Sequence, residues 1–260
     1  MTDPVDHAKR RLASSFGYQE VPPEHKSRLV GELFARVADR YDLMNDLMSA
    51  GVHRLWKATL IDWLAPRPGM RLLDVAGGTG DIAFRVLERT ARSAGPTPEV
   101  IVCDINGAML EVGRDRALDQ NRLAGLRFLC ADAEALPLPA RSVDAYTIAF
   151  GIRNVTHIER ALSEARRVLK PGGRFLCLEF SCFQLAPLER LYDAYSFTVV
   201  PWLGEQVAGD RAAYQYLVES IRRFPDQPTF ARLIERAGLG QVRWRNLSGG
   251  IAALHSAWRL

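Results

Sequence analysis

The chain has 260 residues, 48% of them hydrophobic and 25% charged, a composition that belongs to folded domains and excludes disordered and fibrous classes. Its 34 Lys and Arg against 30 Asp and Glu leave a net charge of +4 with no long run of one sign, which argues against a phosphate-tracking surface and a nucleic-acid partner. No segment has the apolar core of a secretory signal or approaches the roughly 18 apolar residues of a membrane span, so a cytoplasmic protein is expected.

Residues 1–25 hold Pro4, Pro22 and Pro23 and no sustained period, which reads as a flexible N-terminal arm. Val30, Leu33, Phe34, Val37 and Tyr41 then recur at spacings of three and four, and Trp56, Leu60, Trp63 and Leu64 repeat the pattern, so two amphipathic helices are predicted. After Pro68-Gly69, short β-like runs fall at 71–75, 100–103, 126–130, 145–150 and 174–179, separated by helix-length segments. This alternation predicts a doubly wound parallel sheet covered on both faces. The segment 181–228 interrupts it with two further stripes, Leu188, Leu191, Tyr192 and Tyr195, then Tyr214, Leu217, Val218 and Ile221. Runs at 242–247 and 251–258 are joined only by Ser248-Gly249-Gly250, a hairpin signal, so the sheet should end with one antiparallel strand. Cys103, Cys130, Cys177 and Cys182 contain no Cys-x-x-Cys pair and read as buried free thiols. No His, Cys or Asp spacing argues for a metal.

The run Leu72-Leu73-Asp74-Val75-Ala76-Gly77-Gly78-Thr79-Gly80-Asp81 is a strand feeding a glycine-rich turn, where missing Cβ atoms let backbone amides approach a ligand. Asp104 ends the next strand, where a carboxylate can accept from two ribose hydroxyls, and Asp132 follows the third in Cys130-Ala131-Asp132-Ala133-Glu134. Gly78-x-Gly80-x-x-Ala83 also fits a dinucleotide fingerprint. A pyrophosphate, however, wants bare helix-end amides, whereas Asp74 and Asp81 flank this turn and suit a ligand with a cationic amino-acid part. With Arg167-Val168-Leu169-Lys170-Pro171-Gly172-Gly173-Arg174, a helix stopped before a strand, these residues resemble the S-adenosylmethionine-dependent methyltransferases.

Three further segments narrow the resemblance: Tyr41-Asp42-Leu43-Met44-Asn45-Asp46-Leu47-Met48-Ser49-Ala50-Gly51, His53-Arg54-Leu55-Trp56-Lys57 and Phe150-Gly151-Ile152-Arg153-Asn154-Val155. With Glu179-Phe180-Ser181 they look like the ubiquinone/menaquinone biosynthesis C-methyltransferases, from about Phe16 to the C-terminus. The resemblance implies a Rossmann-like class I fold of seven strands, one antiparallel, with N-terminal helices and a helical insertion before the last two strands. It places a single methyltransferase domain over 26–260: helices to 68, a cofactor core at 69–180, a substrate-side insertion at 181–228, and a last helix and hairpin at 229–260. It further implies S-adenosylmethionine as cofactor, contacted by position by Thr79, Asp104, Asp132 and Ala133, to which the reading of the glycine turn adds Asp74, Gly77 and Gly80. The acceptor would be a ring carbon of a polyprenylated quinol. Quinone-biosynthesis proteins, a second copy of the chain and a membrane surface are its expected further partners. Relatives often carry Ser before the Phe-Gly pair, where this chain has Ala149.

Carbon methylation needs something to hold charge that develops on the phenolic oxygen. Thr156-x-x-Glu159 reads as a capping box, which leaves Arg153 and Asn154 in the loop after the fourth strand, at the carboxyl edge of the sheet. Arg153 would stabilise the oxyanion, Asn154 would donate to a quinol oxygen, and Tyr41 would line the substrate side or pack in the core. His53 is a candidate base whose place in a helix favours packing or capping. Glu179, at the end of the fifth strand, is a second candidate proton acceptor. Tyr192, Tyr195, Phe197 and Trp202 could cover the prenyl tail, and Arg222 and Arg223 could meet anionic lipid. The competing readings are methylation of another small molecule and a non-catalytic cofactor-binding scaffold.

Overall fold

The computed structural model describes residues 3–37, 46, 49, 51–181 and 210–260. Tyr41, the stripe 188–195 and the tail-covering aromatics expected at Tyr192, Tyr195, Phe197 and Trp202 lie outside the described residues.

The N-terminus corrects the expectation of a flexible arm. Helix α1 (Pro4–Ala13) starts on Asp3, whose side chain accepts from the Val5 amide at 3.0 Å, with Pro4 in the first turn. Val5, Ala8 and Leu12 are buried at spacings of three and four. A small hairpin, β1 (Ser15–Phe16) and β2 (Gln19–Glu20), leads into α2 (Pro23–Val37) and then α3 (His53–Leu64). Three short apolar residues among His7, Lys9, Arg10 and Arg11 make too narrow a stripe to stand out in the sequence.

Next come β3 (Arg71–Val75), α4 (Asp81–Thr90), β4 (Glu99–Asp104), α5 (Gly107–Asp119), β5 (Leu126–Cys130) and β6 (Val143–Ala149). A 3-10 turn (Ile152–Asn154) then precedes α6 (Ile158–Val168) and β7 (Leu169–Phe180). After the undescribed segment follow α7 (Arg211–Arg223), α8 (Gln227–Arg236), β8 (Gly240–Leu247) and β9 (Ala252–Trp258). The seven strands lie in the order β5-β4-β3-β6-β7-β9-β8, with β9 antiparallel to both neighbours and every other pair parallel.

Alternation along the strands splits the core in two. Leu72, Val100 and Val102 face α2, α3, α4 and α7, whereas Leu73, Val75, Ile101 and Cys103 face α1, α6 and α8. On α6 the buried positions Ile158, Ala161, Leu162, Ala165 and Val168 trace one helical stripe. Its start differs from the expected capping box: His157 is the N-cap without a side-chain bond, and the His157 amide is satisfied by Glu134 Oε1 at 2.7 Å. Its end also differs, because β7 begins at Leu169, before the Pro-Gly-Gly stretch. Leu169 pairs with Val143 and Arg174 with Ala145, so residues 170–173 bulge from the ladder. Arg259 Nη1 caps the helix by donating to the carbonyls of Arg166, Arg167 and Leu169 at 2.7 to 2.8 Å. Cys103 and Cys177 are buried free thiols, but Cys130 is exposed, since it ends edge strand β5.

Because α1 packs on α6 and α8, its burial should matter for stability. Leu12→Ala is expected to destabilise the protein by about 2 to 4 kcal/mol in urea unfolding; a loose arm would give no change.

Candidate active site

The chain winds outward from β3 through β4 to β5, then returns to the other side of β3 with β6, and at this switch point the carboxyl ends of the strands open into a crevice. It spans about 820 Å³ including space open to solvent, between Val75, Ala76 and Gly78 at the end of β3, Asp104, Ile105 and Asn106 at the end of β4, 131–134 after β5, and Phe150, Gly151 and 154–156 after β6. Helix α2 closes one side with Ser27, Val30, Gly31 and Phe34. A smaller compartment of about 350 Å³ shares Ala76 and Phe150 and adds Lys57, Asp74, Gly77, Thr79, Asp81 and Ala149.

The glycine turn is shaped by close approach. Gly78 has φ +51°, and its amide donates to Asp104 Oδ2 at 2.9 Å. A Cβ at Gly151 would sit 2.3 Å from the Ala76 Cβ, so only glycine lets the β6 loop pass the β3 turn. Gly80 is the left-handed N-cap of α4, and its amide donates to the Gly77 carbonyl at 2.8 Å. Ala76 and Phe150, φ +50° and +57°, are side-chain-bearing residues in the left-handed region, and both line the crevice.

The expected acids occupy distinct settings. Asp104 Oδ1 accepts from the Asn106 amide at 2.9 Å, so both of its oxygens are oriented by backbone; burial raises its pKa against those bonds. Asp132 is exposed on the crevice wall, and its Oδ1 accepts from the Glu134 amide at 2.9 Å beside the half-buried Ala133. Asp74 is 1% exposed; its Oδ1 accepts from the Thr147 hydroxyl at 2.7 Å, and its Oδ2 has no partner among the described residues. Burial pushes its pKa up to about 7, against the pull of Thr147. Asp81, by contrast, already meets Lys57 at 2.7 Å and Arg85 at 3.0 Å, which hold its carboxyl below the usual range despite the upward push of burial. Of the two acids flanking the turn, Asp74 is the one left for a ligand cation.

Arg153, expected to meet an oxyanion directly, is not among the residues lining the crevice. It is 3% exposed, and its Nη1 donates to Glu179 Oε1 at 2.7 Å and to the Phe150 carbonyl at 2.6 Å. Glu179, the other candidate proton acceptor, is held in the same pair beneath the loop, its pKa raised by burial against the pull of Arg153. Asn154 alone of the two reaches the crevice. His53 is a packing residue: its Nδ1 lies 3.0 Å from Ser49 Oγ, and burial, then Lys57, lowers its pKa to about 4.

Further contacts, two of them at residues the sequence reading did not single out, complete the site. Ser27 and Gly31 lie on the crevice side of α2 beside Phe34 of the predicted stripe, signalled only by small residues four apart. Arg167 donates to the carbonyls of Leu136 and Leu138 at 2.9 and 2.7 Å and pairs with Glu164, whose Oε2 accepts from the Leu136 amide at 2.8 Å. This clamp sits behind the Asp132 loop.

The family model for the ubiE/COQ5 methyltransferase family matches residues 23–259. The chain belongs to that family. It is 57% identical to the ubiquinone/menaquinone biosynthesis C-methyltransferase UbiE of Brucella abortus (strain S19), covering 96% of this chain and 92% of that one. It is 56% identical to the protein of the same name from Brucella anthropi, covering 97% and 95%. Among solved structures it resembles a possible histamine N-methyltransferase from Thermotoga maritima, with a TM-score of 0.60 at 20% identity over 88% of this chain and 99% of that one. It also resembles the [4+2]-cyclase SpnF, with a TM-score of 0.65 at 16% identity over 90% and 96%. Those two share the fold, and the fold alone does not specify a reaction. Membership of the family makes the chain an S-adenosylmethionine-dependent methyltransferase. The crevice fits that cofactor: its smaller compartment offers an orphaned buried carboxylate oxygen at Asp74, and Gly77, Gly78 and Thr79 of the glycine turn line the two compartments.

If Asp74 meets the cofactor's ammonium group, binding requires the carboxylate form. Affinity for S-adenosylhomocysteine should then fall as pH drops through about 7, by up to about tenfold per unit below it, because a proton must leave before the ligand binds. Calorimetry across that range should show this slope in the wild type and a weak, flat profile in Asp74→Asn. A flat wild-type profile would place the ammonium elsewhere.

Proposed function

We propose that the chain transfers the methyl group of S-adenosylmethionine to a ring carbon of a polyprenylated quinol in ubiquinone or menaquinone biosynthesis. The observation that carries this reading is near-full-length identity of 56 to 57% to enzymes bearing that name, in a chain with the crevice described.

The cofactor supplies an electron-poor methyl group on a sulfonium centre. Asp104 accepts from the ribose hydroxyls, Asp132 and the Ala133 backbone meet the adenine, and Asp74 with Gly77, Thr79 and Gly80 surrounds the amino-acid end. Asn154 donates to the acceptor's ring oxygen, so that charge appearing there as the hydroxyl proton leaves to solvent is stabilised and the ring carbon becomes nucleophilic. The hydrogen that the methyl replaces on that carbon then leaves as a proton and the ring oxygen is reprotonated, for a net release of one proton. Arg153 acts one layer below, holding the loop through Glu179. Val30, Phe34, Met109 and Val155 on the crevice walls exclude water from the reacting groups. Tyr41 on the substrate side belongs to this proposal as well.

A prenyl tail gains about 0.8 kcal/mol for each buried methylene, so the acceptor is drawn from a membrane and the enzyme works at its surface. No described helix is long and apolar enough to cross one. Arg223, expected to face lipid, lies over the Tyr18 ring at 5.4 Å and donates to the Tyr18 carbonyl at 3.3 Å.

Quinone extracts from a strain lacking this gene should contain a quinone species short of one methyl, restored to full mass by re-expression. Unaltered quinones would assign the methyl to another acceptor.

A further inference from the structure

A carboxamide has two chemically opposite ends, and a half-turn of its terminal torsion exchanges a donor for an acceptor. For Asn154 to donate to an acceptor oxygen, something must hold its own oxygen on the far side. Tyr216 on α7 does so: its hydroxyl donates to Asn154 Oδ1 at 2.9 Å. Tyr216 is buried, with the Arg153–Glu179 pair nearby, and burial pushes its phenol above the ordinary value, so it remains a donor. One turn along α7, Ser220 Oγ accepts from Arg153 Nε at 3.3 Å. Helix α7 thus holds both consecutive loop residues, Arg153 through Ser220 and Asn154 through Tyr216.

The Tyr216 ring is fixed in turn by the N-terminal hairpin. Phe16 stacks on it with centroids 4.4 Å apart, and the hairpin is tied to α7 by the Tyr18 amide donating to Glu219 Oε2 at 2.9 Å. A Cβ at Gly17, φ +60°, would fall 2.3 Å from that same oxygen, so the hairpin turn is fitted closely to the helix.

We propose that Tyr216 is a positioning residue for methyl transfer: it orients the Asn154 carboxamide with its NH2 toward the crevice, and Phe16 keeps Tyr216 in register. This rests on the reading that Asn154 donates to the acceptor oxygen. Asn154 touches the substrate; Tyr216 acts through it.

The test is single-turnover methyl transfer at saturating cofactor and quinol in wild type, Tyr216→Phe, Asn154→Ala and the double variant. Phenylalanine keeps the ring and its stack on Phe16, and melting temperatures check that each variant is folded. Tyr216→Phe should slow transfer about fivefold to tenfold, the scale of one hydrogen bond, with affinity for S-adenosylhomocysteine unchanged. Asn154→Ala should slow it about a hundredfold. The double variant should be no slower than Asn154→Ala, since Tyr216 then has nothing to orient. A slow Asn154→Ala with a wild-type rate in Tyr216→Phe would overturn the positioning role alone. So would a Tyr216→Phe loss that persists undiminished in the Asn154→Ala background, which would mark a structural effect. A wild-type rate in Asn154→Ala would overturn the reading of Asn154 and the role of Tyr216 with it.

Discussion

Arg153 and Glu179 form an ion pair at 2.7 Å with side chains 2% and 1% exposed. Two charges taken this far from water cost several kcal/mol each in lost hydration, and only close geometry with every remaining valence satisfied offsets it. Here the Phe150 carbonyl and Ser220 on the Arg153 side, and the Phe180 and Arg153 amides on the Glu179 side, add further hydrogen bonds to the pair. The pair ties the end of β7 to the loop after β6 and to α7, so those three elements have one relative arrangement. Removing either partner would strand the other charge, at about 3 to 5 kcal/mol. Phe150 in the left-handed region, Gly151 against Ala76 and Asn154 at the crevice are all held by that constraint.

The opposite side of the crevice is held by a buried cation. Lys26 on α2 donates to the carbonyls of Leu12 at 2.6 Å and Val155 at 3.1 Å, joining the end of α1 to the crevice loop. Burial draws its pKa down to about 8, opposed by Glu134. Asn106 Nδ2 adds a bond to the Gly31 carbonyl at 3.1 Å, so α2 is pinned from both ends of the crevice. A wall fixed in this way lets Val30 and Phe34 dry the site while polar groups from the sheet face the ligand.

Where the physics is local, the sequence is readable. The 71–75 and 126–130 strands appear at their predicted bounds because short apolar runs bounded by Pro, Gly or polar turns leave few alternatives; Asp132 follows directly from where the 126–130 strand ends, as Asp104 does from the end of β4. The fate of Arg153 was not readable, because its partner Glu179 is 26 residues away and a guanidinium in a loop looks the same whether it faces solvent or a carboxylate. The capping box failed for a related reason: Thr156 is spent on the crevice wall, and the helix start is satisfied by distant Glu134. Likewise Val5, Ala8 and Leu12 become a stripe only once α6 and α8 supply the surface they cover.

The central claim is that this crevice delivers a methyl group to carbon. The direct measurement is carbon NMR of the product after incubating the purified protein with S-adenosylmethionine labelled with carbon-13 in its methyl group and a polyprenylated quinol lacking one ring methyl. The account predicts that the label appears as a methyl bonded to a ring carbon. Label found as a methoxy group, or no transfer by folded protein that binds the cofactor, would contradict it.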